Sequence, residues 1–416
     1  MDTVSVLDKT KFLRIRKNIV FYNYGTKLLV DYKGNTILVL NPLDSKIIKE
    51  INGRKNIENI YQCLKKTEKI DQKIYEQSIY KMLEKGIILL RDTCKNEKAI
   101  IYGEVGKFYP KSTLIELTNK CNFSCSFCYK NALNKGVFIS DKNIEYVYDI
   151  IKEKVPSILL TGGEPTLHPH IEKYIMKFAD VAKVNINTNG SRLFELNPEI
   201  VLLLNHVQIS LYGTNNDEYM KITKIEKGFD KVSKSVKLLK TLMVPHTIAV
   251  TLCQDTITKV EEFIKASIRI GAENMKIGLA DEFGREQNKI RKKEYEKQID
   301  ELPEILKKLK FLYRNEIKIE WAGVDYNLPE VDIETYGEFL KCGSGTEYFT
   351  ISQNGRVRVC ECLNEDLFDM GDIIALNEFI KGNFQKEKLR CSVEEYMRYN
   401  RKLPCEALKA YANMHL

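Results

Sequence analysis

Between about residues 111 and 290, short apolar runs alternate with longer amphipathic stretches rich in Lys and Glu. The runs predicted to be strands are STLIELTN, PSILLTGG, AKVNINTNG, HVQISLYG, PHTIAVTLC and ENMKIGLAD. Regular alternation of strand and helix predicts a parallel sheet with right-handed crossovers. Because such sheets bind ligands at the carboxyl ends of their strands, we expect a functional site at that edge.

The first hundred residues follow a different pattern. VFYNYG and KLLVDYKGNTILVLN predict strands with a Lys-Gly-Asn turn, and three stretches with apolar spacing near 3.6 predict helices. These helical stretches are LDSKIIKEI, IENIYQCLKK and YEQSIYKMLEKG, with Gly86 ending the last one before the strand IILLRD. This order predicts a small winged-helix-like domain over residues 1–98.

The composition is that of a globular protein of two or three domains, with 416 residues, 44% hydrophobic and 29% charged. No apolar run approaches the roughly 20 residues that span a bilayer, and the N-terminal segment has no apolar signal core. We therefore expect a cytoplasmic protein without a membrane partner.

The net charge of +8 is concentrated at one end of the chain. Residues 1–100 contain 20 Lys and Arg against 12 Asp and Glu, and the remainder is balanced. A basic domain suggests an acidic partner, either nucleic acid or an acidic peptide, although lysines that only solvate helix faces would give the same count. The last predicted helix, YEQSIYKMLEKG, carries both acidic and basic side chains. This mixture does not favour binding to the phosphates of nucleic acid.

Candidate chemistry begins with the cysteines. Cys121, Cys125 and Cys128 form a Cys-x3-Cys-x2-Cys pattern after the first of the six predicted parallel strands. Three thiolates on one loop can ligate three corners of a 4Fe–4S cluster, whereas ferredoxin spacings supply all four ligands. The alternatives are a structural zinc site and core cysteines that share this spacing by coincidence. Zinc normally takes four protein ligands, and no fourth Cys or His lies at a suitable short offset. The pattern predicts a cluster with one open iron.

The segment ELTNKCNFSCSFCYK, with Phe127 before its third Cys, resembles the signature of the radical S-adenosylmethionine (radical SAM) superfamily. The resemblance implies an α/β fold with a partial (β/α)6 barrel over residues 108–320. It also implies that S-adenosylmethionine binds the open iron and is cleaved to a 5′-deoxyadenosyl radical, so that Cys121, Cys125 and Cys128 are catalytic. Such chemistry belongs to the cofactor, and the protein positions and shields it.

Further positions match family motifs. Gly162, Gly163, Glu164 and Pro165, after the second strand, resemble the segment that lines the S-adenosylmethionine amino group. His168 and His170, just beyond, are predicted to solvate a loop. The remaining positions implied by the resemblance are Asn187, Asn189 and Ser210 near the ribose and carboxylate, Lys221 or Lys224 as carboxylate partner where the family more often has Arg, and Ile277 in an apolar wall against the adenine.

The third segment, residues 335–416, resembles the SPASM or shorter twitch extension of this superfamily. Cys342, Gly355 and Cys360 match its entry, with SQNGR as a hairpin turn between YFTI and VRV. The dense C-terminal Cys group of the full extension is absent. The resemblance therefore implies one auxiliary cluster, expected to be 4Fe–4S, with a stapling, electron-transfer or substrate-binding role. The expected ligands are Cys342, Cys360, Cys391 and Cys405, with Cys362 as a substitute.

Together these segments resemble maturases of ribosomally synthesised peptides. The N-terminal domain resembles their precursor-peptide recognition element, in which a leader peptide adds a strand to a sheet edge. The implied reaction is hydrogen abstraction from the precursor peptide and formation of a thioether cross-link, with flavodoxin or ferredoxin as electron donor.

Carbon–carbon or ether cross-linking remains open. So does epimerisation, with Cys253 or Cys362 as hydrogen donor. A DNA-binding iron–sulfur regulator is the alternative from another class.

Overall fold

The computed structural model describes residues 7–33, 35–280, 284–286, 292–321, 348–361 and 369–381. The chain divides into two compact units. The first is built mainly on Met1–Tyr109, and the second mainly on Pro110–Tyr326 and Leu340–Phe379.

The first unit contains the strands and the three helices that the sequence predicts. Its elements are β1 (Phe12–Ile15), β2 (Ile19–Tyr24), β3 (Lys27–Tyr32), β4 (Asn35–Leu40), α1 (Pro42–Glu50), α2 (Ile57–Thr67), α3 (Gln72–Glu84), β5 (Ile88–Arg91) and β6 (Ile101–Tyr102). One sheet has the order β4-β3-β2-β6, and β1 pairs with β5 in a second, antiparallel sheet.

Local sequence sets the helix boundaries in this unit. The side chains of Asn41, Asn56 and Asp71 accept backbone N–H bonds at the starts of α1, α2 and α3, which satisfies donors that helix geometry leaves unpaired. After α3, Gly86 takes a φ of +64°, a left-handed conformation favourable to glycine. The apolar faces of the three helices pack on the strands in one core.

Within the described residues, the second unit is one ten-stranded sheet with helices between its parallel strands. Its strands are β7 (Ser112–Glu116), β8 (Ser157–Thr161), β9 (Lys183–Thr188), β10 (Leu204–Ser210), β11 (His246–Leu252), β12 (Asn274–Leu279), β13 (Lys318–Trp321), β14 (Tyr348–Ile351), β15 (Arg356–Arg358) and β16 (Asp369–Asp372). Its α-helices are α4 (Asp141–Ile151), α5 (Ile171–Ala179), α6 (Pro198–Val201), α7 (Asn216–Thr223), α8 (Gly228–Thr241), α9 (Val260–Arg269), α10 (Lys293–Leu312) and α11 (Leu376–Ile380). Short 3₁₀ turns lie at Pro165–Leu167, Leu193–Glu195, Ile257–Lys259, Gly284–Glu286 and Ile373–Ala375.

The strand order β13-β12-β11-β10-β9-β8-β7-β14-β15-β16 confirms the predicted parallel α/β sheet. The six predicted strands are β7 to β12, and each pairs in parallel with its sequence neighbour. Two features extend the prediction. β13 adds a seventh parallel strand beyond β12, and β14 pairs in parallel with β7 at the other side.

The hairpin predicted in the third segment is also present. β14 and β15 pair antiparallel, and Gly355 between them has a φ of +72°. A chain reversal that needs positive φ favours glycine, which lacks the Cβ clash of other residues. Within the described ranges, the helices are all too short or too polar to cross a membrane.

Candidate active site

The three cysteines lie on the loop that joins β7 to α4, at the carboxyl edge of the sheet. Main-chain bonds fix this loop to its surroundings: the Cys121 N–H donates to the Leu133 carbonyl at 2.7 Å, and the Ser124 N–H donates to the Thr223 carbonyl at 3.0 Å. Thr223 is the last residue of α7. The loop is therefore held both by its own return segment and by a helix that follows β10.

The thiols of this loop are shielded from solvent. Cys121 and Cys125 are 8% and 7% exposed, and Cys128 is half-buried. Burial raises the pKa of Cys121 to about 12, with the nearby Glu164 adding to the effect. Burial also raises the pKa of Cys125. Thiolates at these positions therefore need positive charge beside them, which is what iron supplies to cysteine ligands.

Two N–H groups are directed at the Cys121 sulfur. The Phe123 main chain donates at 3.3 Å and the Asn189 side-chain amide at 3.8 Å. Hydrogen bonds to sulfur are among the contacts that tune protein-bound iron–sulfur clusters, so the donor set fits such a cluster. Among the described residues, no three His, Cys, Asp or Glu side chains form a group suited to a single metal ion.

Gly162 and Gly163 follow β8 and pack directly on the segment that precedes Cys121. A Cβ on Gly162 would lie 2.3 Å from the Thr118 carbonyl oxygen, and one on Gly163 would lie 2.3 Å from that of Lys120. The Gly163 N–H donates to the Thr118 carbonyl at 2.7 Å. Glycine is needed here because two backbones come into contact, and this contact places the Gly-Gly-Glu-Pro segment beside the cysteine loop.

Glu164 is fully buried and joins the ends of β8 and β9. One carboxylate oxygen accepts from the Thr188 hydroxyl at 2.6 Å and from the Thr166 hydroxyl and N–H. The other accepts from the Asn189 N–H at 2.7 Å. Burial raises the pKa of Glu164, and these hydrogen bonds oppose the rise. The side chain thus brings the predicted Asn189 next to the predicted Gly162–Pro165 segment.

Asn189 links this region to the cysteine loop. Its side-chain amide donates to the Asn122 side-chain oxygen at 2.9 Å, and the Asn122 amide donates to the Ser191 hydroxyl at 2.9 Å. Asn189 also accepts from the Ser191 N–H at 2.9 Å. This amide network was not predicted, although Asn122 directly follows the first Cys.

The other predicted cofactor positions lie on neighbouring elements. Asn187 lies half-buried on β9, Ser210 ends β10, and Ile277 is fully buried in β12. Lys224 follows α7 with a φ of +63°, and its exposed side chain donates to the Lys221 carbonyl at 2.9 Å. Lys224 is adjacent to Thr223, which bonds the cysteine loop, but its ammonium group is occupied by its own helix end.

Aromatic side chains pack around the cysteine loop. Phe127 and Tyr212 have ring centroids 5.7 Å apart, and Phe123 lies 6.0 Å from Tyr212. Burial raises the pKa of Tyr212, with Cys125 contributing. Cys253 is 1% exposed in a cluster with Phe127. Its sulfur contacts the Thr256 hydroxyl at 3.4 Å, so Cys253 is a packing residue behind the loop.

A buried network of charges connects the cysteine loop with the β14–β15 hairpin. Glu116, at the end of β7, forms ion pairs with Lys130 and, at 2.7 Å, with Arg358 on β15. Lys130 also approaches Glu361 at 3.9 Å, and the Tyr129 hydroxyl donates to Glu361 at 3.3 Å. Glu361 is adjacent to Cys360 in the sequence, so the network lies beside one of the predicted auxiliary ligands.

Cys360 itself is half-buried. The other predicted auxiliary ligands, Cys342, Cys362, Cys391 and Cys405, lie outside the described residues.

The interpretation of His168 as a loop-solvating residue was wrong. Its side chain is 3% exposed, its Nε2 pairs with the Ile139 carbonyl at 3.2 Å, and its Nδ1 accepts from the His170 N–H at 3.0 Å. Burial lowers the pKa of His168. Both ring nitrogens have main-chain partners, which suits one neutral tautomer.

Residues 115–266 match the model of the Radical SAM superfamily. This range includes the cysteine loop and the Gly-Gly-Glu-Pro segment. The chain carries a radical SAM domain. It is a radical SAM enzyme, and its cofactors are S-adenosylmethionine and a 4Fe–4S cluster.

Proteins of more than one function are similar to this chain. This radical SAM enzyme is 26% identical over 68% of its length to a probable GTP 3′,8-cyclase of Sulfurisphaera tokodaii, covering 89% of that protein. It is 22% identical over 84% of its length to the antilisterial bacteriocin subtilosin biosynthesis protein AlbA of Bacillus subtilis, covering 79% of that protein.

Among solved structures, SuiB of Streptococcus suis bound to S-adenosylmethionine has a TM-score of 0.58 at 16% identity, with 86% of this chain and 85% of that chain covered. SuiB bound to its precursor peptide SuiA gives the same TM-score of 0.58 at 15% identity, with 85% of each chain covered. At these identities the likeness concerns the fold.

Proposed function

We propose that this radical SAM enzyme modifies a ribosomally made precursor peptide and installs a thioether cross-link. The observation that carries the proposal is the shielded three-cysteine loop beside the Gly162–Pro165 segment, in a chain that also has an N-terminal unit of strands and three helices. The similarity to AlbA, a bacteriocin biosynthesis protein, and to the fold of SuiB, solved with a precursor peptide, supports a peptide substrate.

In this proposal Cys121, Cys125 and Cys128 hold the cluster. When bound, the cluster and S-adenosylmethionine supply hydrogen abstraction from carbon. The protein's residues position and protect that chemistry. Asn189 and the Phe123 N–H donate toward the Cys121 sulfur, and the rings of Phe127 and Tyr212 pack against each other beside the cysteine loop.

The residues proposed to bind S-adenosylmethionine lie at the ends of successive strands. Gly162–Pro165 follows β8, Asn187 and Asn189 lie at the end of β9, Ser210 ends β10 and Ile277 lies on β12. The proposed role of Glu164 is to hold the neighbouring strand ends in place, because its carboxylate oxygens accept hydrogen bonds from Thr166, Thr188 and Asn189. Lys224 remains the proposed partner of the S-adenosylmethionine carboxylate. To bind it, the Lys224 ammonium group would have to break its hydrogen bond to the Lys221 carbonyl.

The first unit is proposed to bind the leader part of the precursor peptide. Within the described residues, β4 lies at one end of the order β4-β3-β2-β6 and is paired only with β3. Such an edge can accept an extended peptide as an additional strand. Leader binding would raise the effective concentration of the core peptide at the barrel. The basic first hundred residues favour an acidic leader.

Residues 335–416 are proposed to form a twitch-like extension with one auxiliary cluster. The observed hairpin places Cys360 next to the charge network that reaches the cysteine loop. The remaining proposed ligands are Cys342, Cys391 and Cys405, with Cys362 as substitute, and flavodoxin or ferredoxin is the proposed electron donor. The cysteine content, with eleven Cys, suits a reducing cytoplasm.

GTP cyclisation is the second candidate, favoured by the similarity to the probable GTP 3′,8-cyclase over most of that protein's length. The two candidates differ in their substrate, a peptide or GTP, so the substrate decides between them. Epimerisation through Cys253 is disfavoured, because its thiol is buried behind Phe127 and bonded to Thr256.

The test is product analysis with reconstituted, reduced enzyme and S-adenosylmethionine in deuterated water. One reaction contains candidate precursor peptides, chosen from any short peptides encoded near the gene, and a parallel reaction contains GTP. We expect the peptide to lose the mass of two hydrogens and to show a thioether by fragmentation. A gain of one deuterium without mass loss would indicate epimerisation. Conversion of GTP with an unchanged peptide would overturn the proposal.

A further inference from the structure

Arg285 lies beside the cysteine loop and bonds its main chain. The guanidinium Nε donates to the Cys125 carbonyl at 2.6 Å, and both terminal nitrogens donate to the Ala132 carbonyl at 3.1 Å. The Arg285 N–H donates to the Cys128 carbonyl at 3.0 Å. Arg285 follows β12, whose carboxyl end lies at the same edge of the sheet as that of β7. One residue thus contacts the second and third cysteines and the segment that follows them.

Gly284 allows this approach. It has a φ of +57°, and a Cβ added to it would lie 2.3 Å from the Cys128 carbonyl oxygen and 2.4 Å from that of Tyr129. Both obstructing atoms belong to the main chain, so a side-chain rotation could not make room. The Gly-Arg pair therefore combines a residue that lets the backbones meet with a residue that binds the opposing carbonyls.

The chemistry of arginine matches this position. A guanidinium group has a fixed fork of donors, accepts no hydrogen bond and stays charged at all relevant pH values. Its charge lies against the loop, because the guanidinium Nε is 2.6 Å from the Cys125 carbonyl oxygen. A reduced iron–sulfur cluster is more negative than the oxidised form, so a fixed cation nearby favours reduction.

We infer that Arg285 is a positioning residue for the radical SAM cluster: it holds the carbonyls of Cys125, Cys128 and Ala132, and its charge raises the reduction potential of the cluster that the loop binds. The inference rests on the proposed assignment of Cys121, Cys125 and Cys128 as ligands. At the effective dielectric of about 20 that suits protein sites, a unit charge within about 10 Å changes an equilibrium by roughly tenfold.

The test compares full-length wild type with R285K, R285Q and R314Q after anaerobic reconstitution. R285K keeps the positive charge and loses the planar set of guanidinium N–H donors, whereas R285Q loses the charge. R314Q removes an exposed cation before β13, at the opposite edge of the sheet from the cysteine loop. The measurements are iron per chain, melting temperature and the midpoint potential from a titration followed by electron paramagnetic resonance.

We expect the ratio of reduced to oxidised cluster at a fixed potential to fall about tenfold in R285Q, a shift of about 59 mV for one electron. R285K should stay within about twofold of wild type because its charge remains, and R314Q should be unchanged. Loss of iron in R285Q with retention in R285K also supports the inference. Loss of iron in both R285Q and R285K at an unchanged melting temperature would also support the inference, since it would show that the hydrogen bonds of the guanidinium group hold the loop.

The inference is overturned if R285Q keeps both the iron content and the midpoint potential of wild type. It is also overturned if both variants lose iron together with a collapse in melting temperature, because Arg285 would then be a general folding residue. A wild-type protein that binds no cluster would instead contradict the proposed function itself. Iron content of the wild type therefore separates the two failures.

Discussion

Single residues around the cysteine loop are constrained by main-chain contacts as much as by cofactor chemistry. Gly162 and Gly163 must be glycines because a Cβ at either position would collide with the carbonyl oxygen of Thr118 or Lys120. The carboxylate of Glu164, the next residue, accepts hydrogen bonds from Thr188 and Asn189 at the end of the neighbouring strand. The motif spacing predicted that these residues lie near the cysteines. It could not predict the pair at residues 284–285, because a single Gly-Arg pair after a strand has no distinguishing pattern until the fold brings it to the loop.

Gly284 offers a sharp test of the loop's geometry. In G284A the new methyl group would collide with the carbonyls of Cys128 and Tyr129, so we expect reduced iron incorporation after reconstitution. Gly106 is the matched control, since its φ is +80° and no atom lies within 4 Å of the place that a methyl group would take.

G106A should cost only the strain of a left-handed alanine, about 1–2 kcal/mol, and should bind iron as wild type does. Equal iron content in the two variants would contradict the packing described for Gly284.

His168 gives the protein a pH dependence of stability. Its Nδ1 accepts from the His170 N–H. Protonation of the ring would place a hydrogen on Nδ1, and this N–H would then face the N–H of His170. Because burial lowers the pKa of His168 in the folded state, the unfolded state binds the proton more readily below about pH 6.5. Stability should therefore be fully present above that pH and fall as the pH drops through the folded-state pKa.

The measurement is urea unfolding of wild type and H168Q between about pH 7.5 and about pH 5.5, a range that brackets the ordinary histidine pKa. The free energy of unfolding of wild type should fall relative to that of H168Q by at most about 1.4 kcal/mol per pH unit, the limit for one proton. Parallel curves for the two proteins would show that His168 does not titrate on unfolding.

At the scale of elements, the sequence predicted the six strands β7 to β12 because each is an apolar run followed by an amphipathic stretch. It did not predict the pairing of β14 with β7 or of β1 with β5, since a strand of four residues acquires its partner from the tertiary fold. The β14–β15 hairpin was predictable through Gly355, but its placement beside the first barrel strand was not.

The charge network between β7, the cysteine loop and β15 should stabilise the second unit strongly. Glu116 is 3% exposed and pairs with Lys130 and Arg358. E116Q would leave two buried cations facing one fewer anion, and removing one member of a buried pair costs about 3–5 kcal/mol. D149N is the control, because the Asp149–Lys152 pair is exposed and such pairs contribute at most about 1 kcal/mol.

Thermal unfolding of the cluster-free wild type, E116Q and D149N measures the loss of stability that each substitution causes. We expect a clearly lower melting temperature for E116Q and a nearly unchanged one for D149N. Similar melting temperatures for both variants would show that the network adds no stability.

At the scale of the whole molecule, the proposal requires the first unit to recognise the leader and the second to perform the chemistry. If the leader adds a strand to β4, hydrogen exchange of the amides in Asn35–Leu40 should slow when the precursor peptide that the enzyme modifies is added to the full chain. A peptide with its leader removed is the control and should leave this strand unchanged. Protection that appears only in other elements would rule out strand addition at β4.

The most direct test of the central claim is formation of 5′-deoxyadenosine by the reconstituted, reduced enzyme supplied with S-adenosylmethionine. Wild type and C94A, which lacks an exposed cysteine outside every predicted ligand set, should both form it. C125A, which lacks one of the three loop cysteines, should fall to the enzyme-free background. Equal formation by C125A and wild type, or none by wild type despite a full complement of iron, would contradict the assignment of this loop as the radical SAM site.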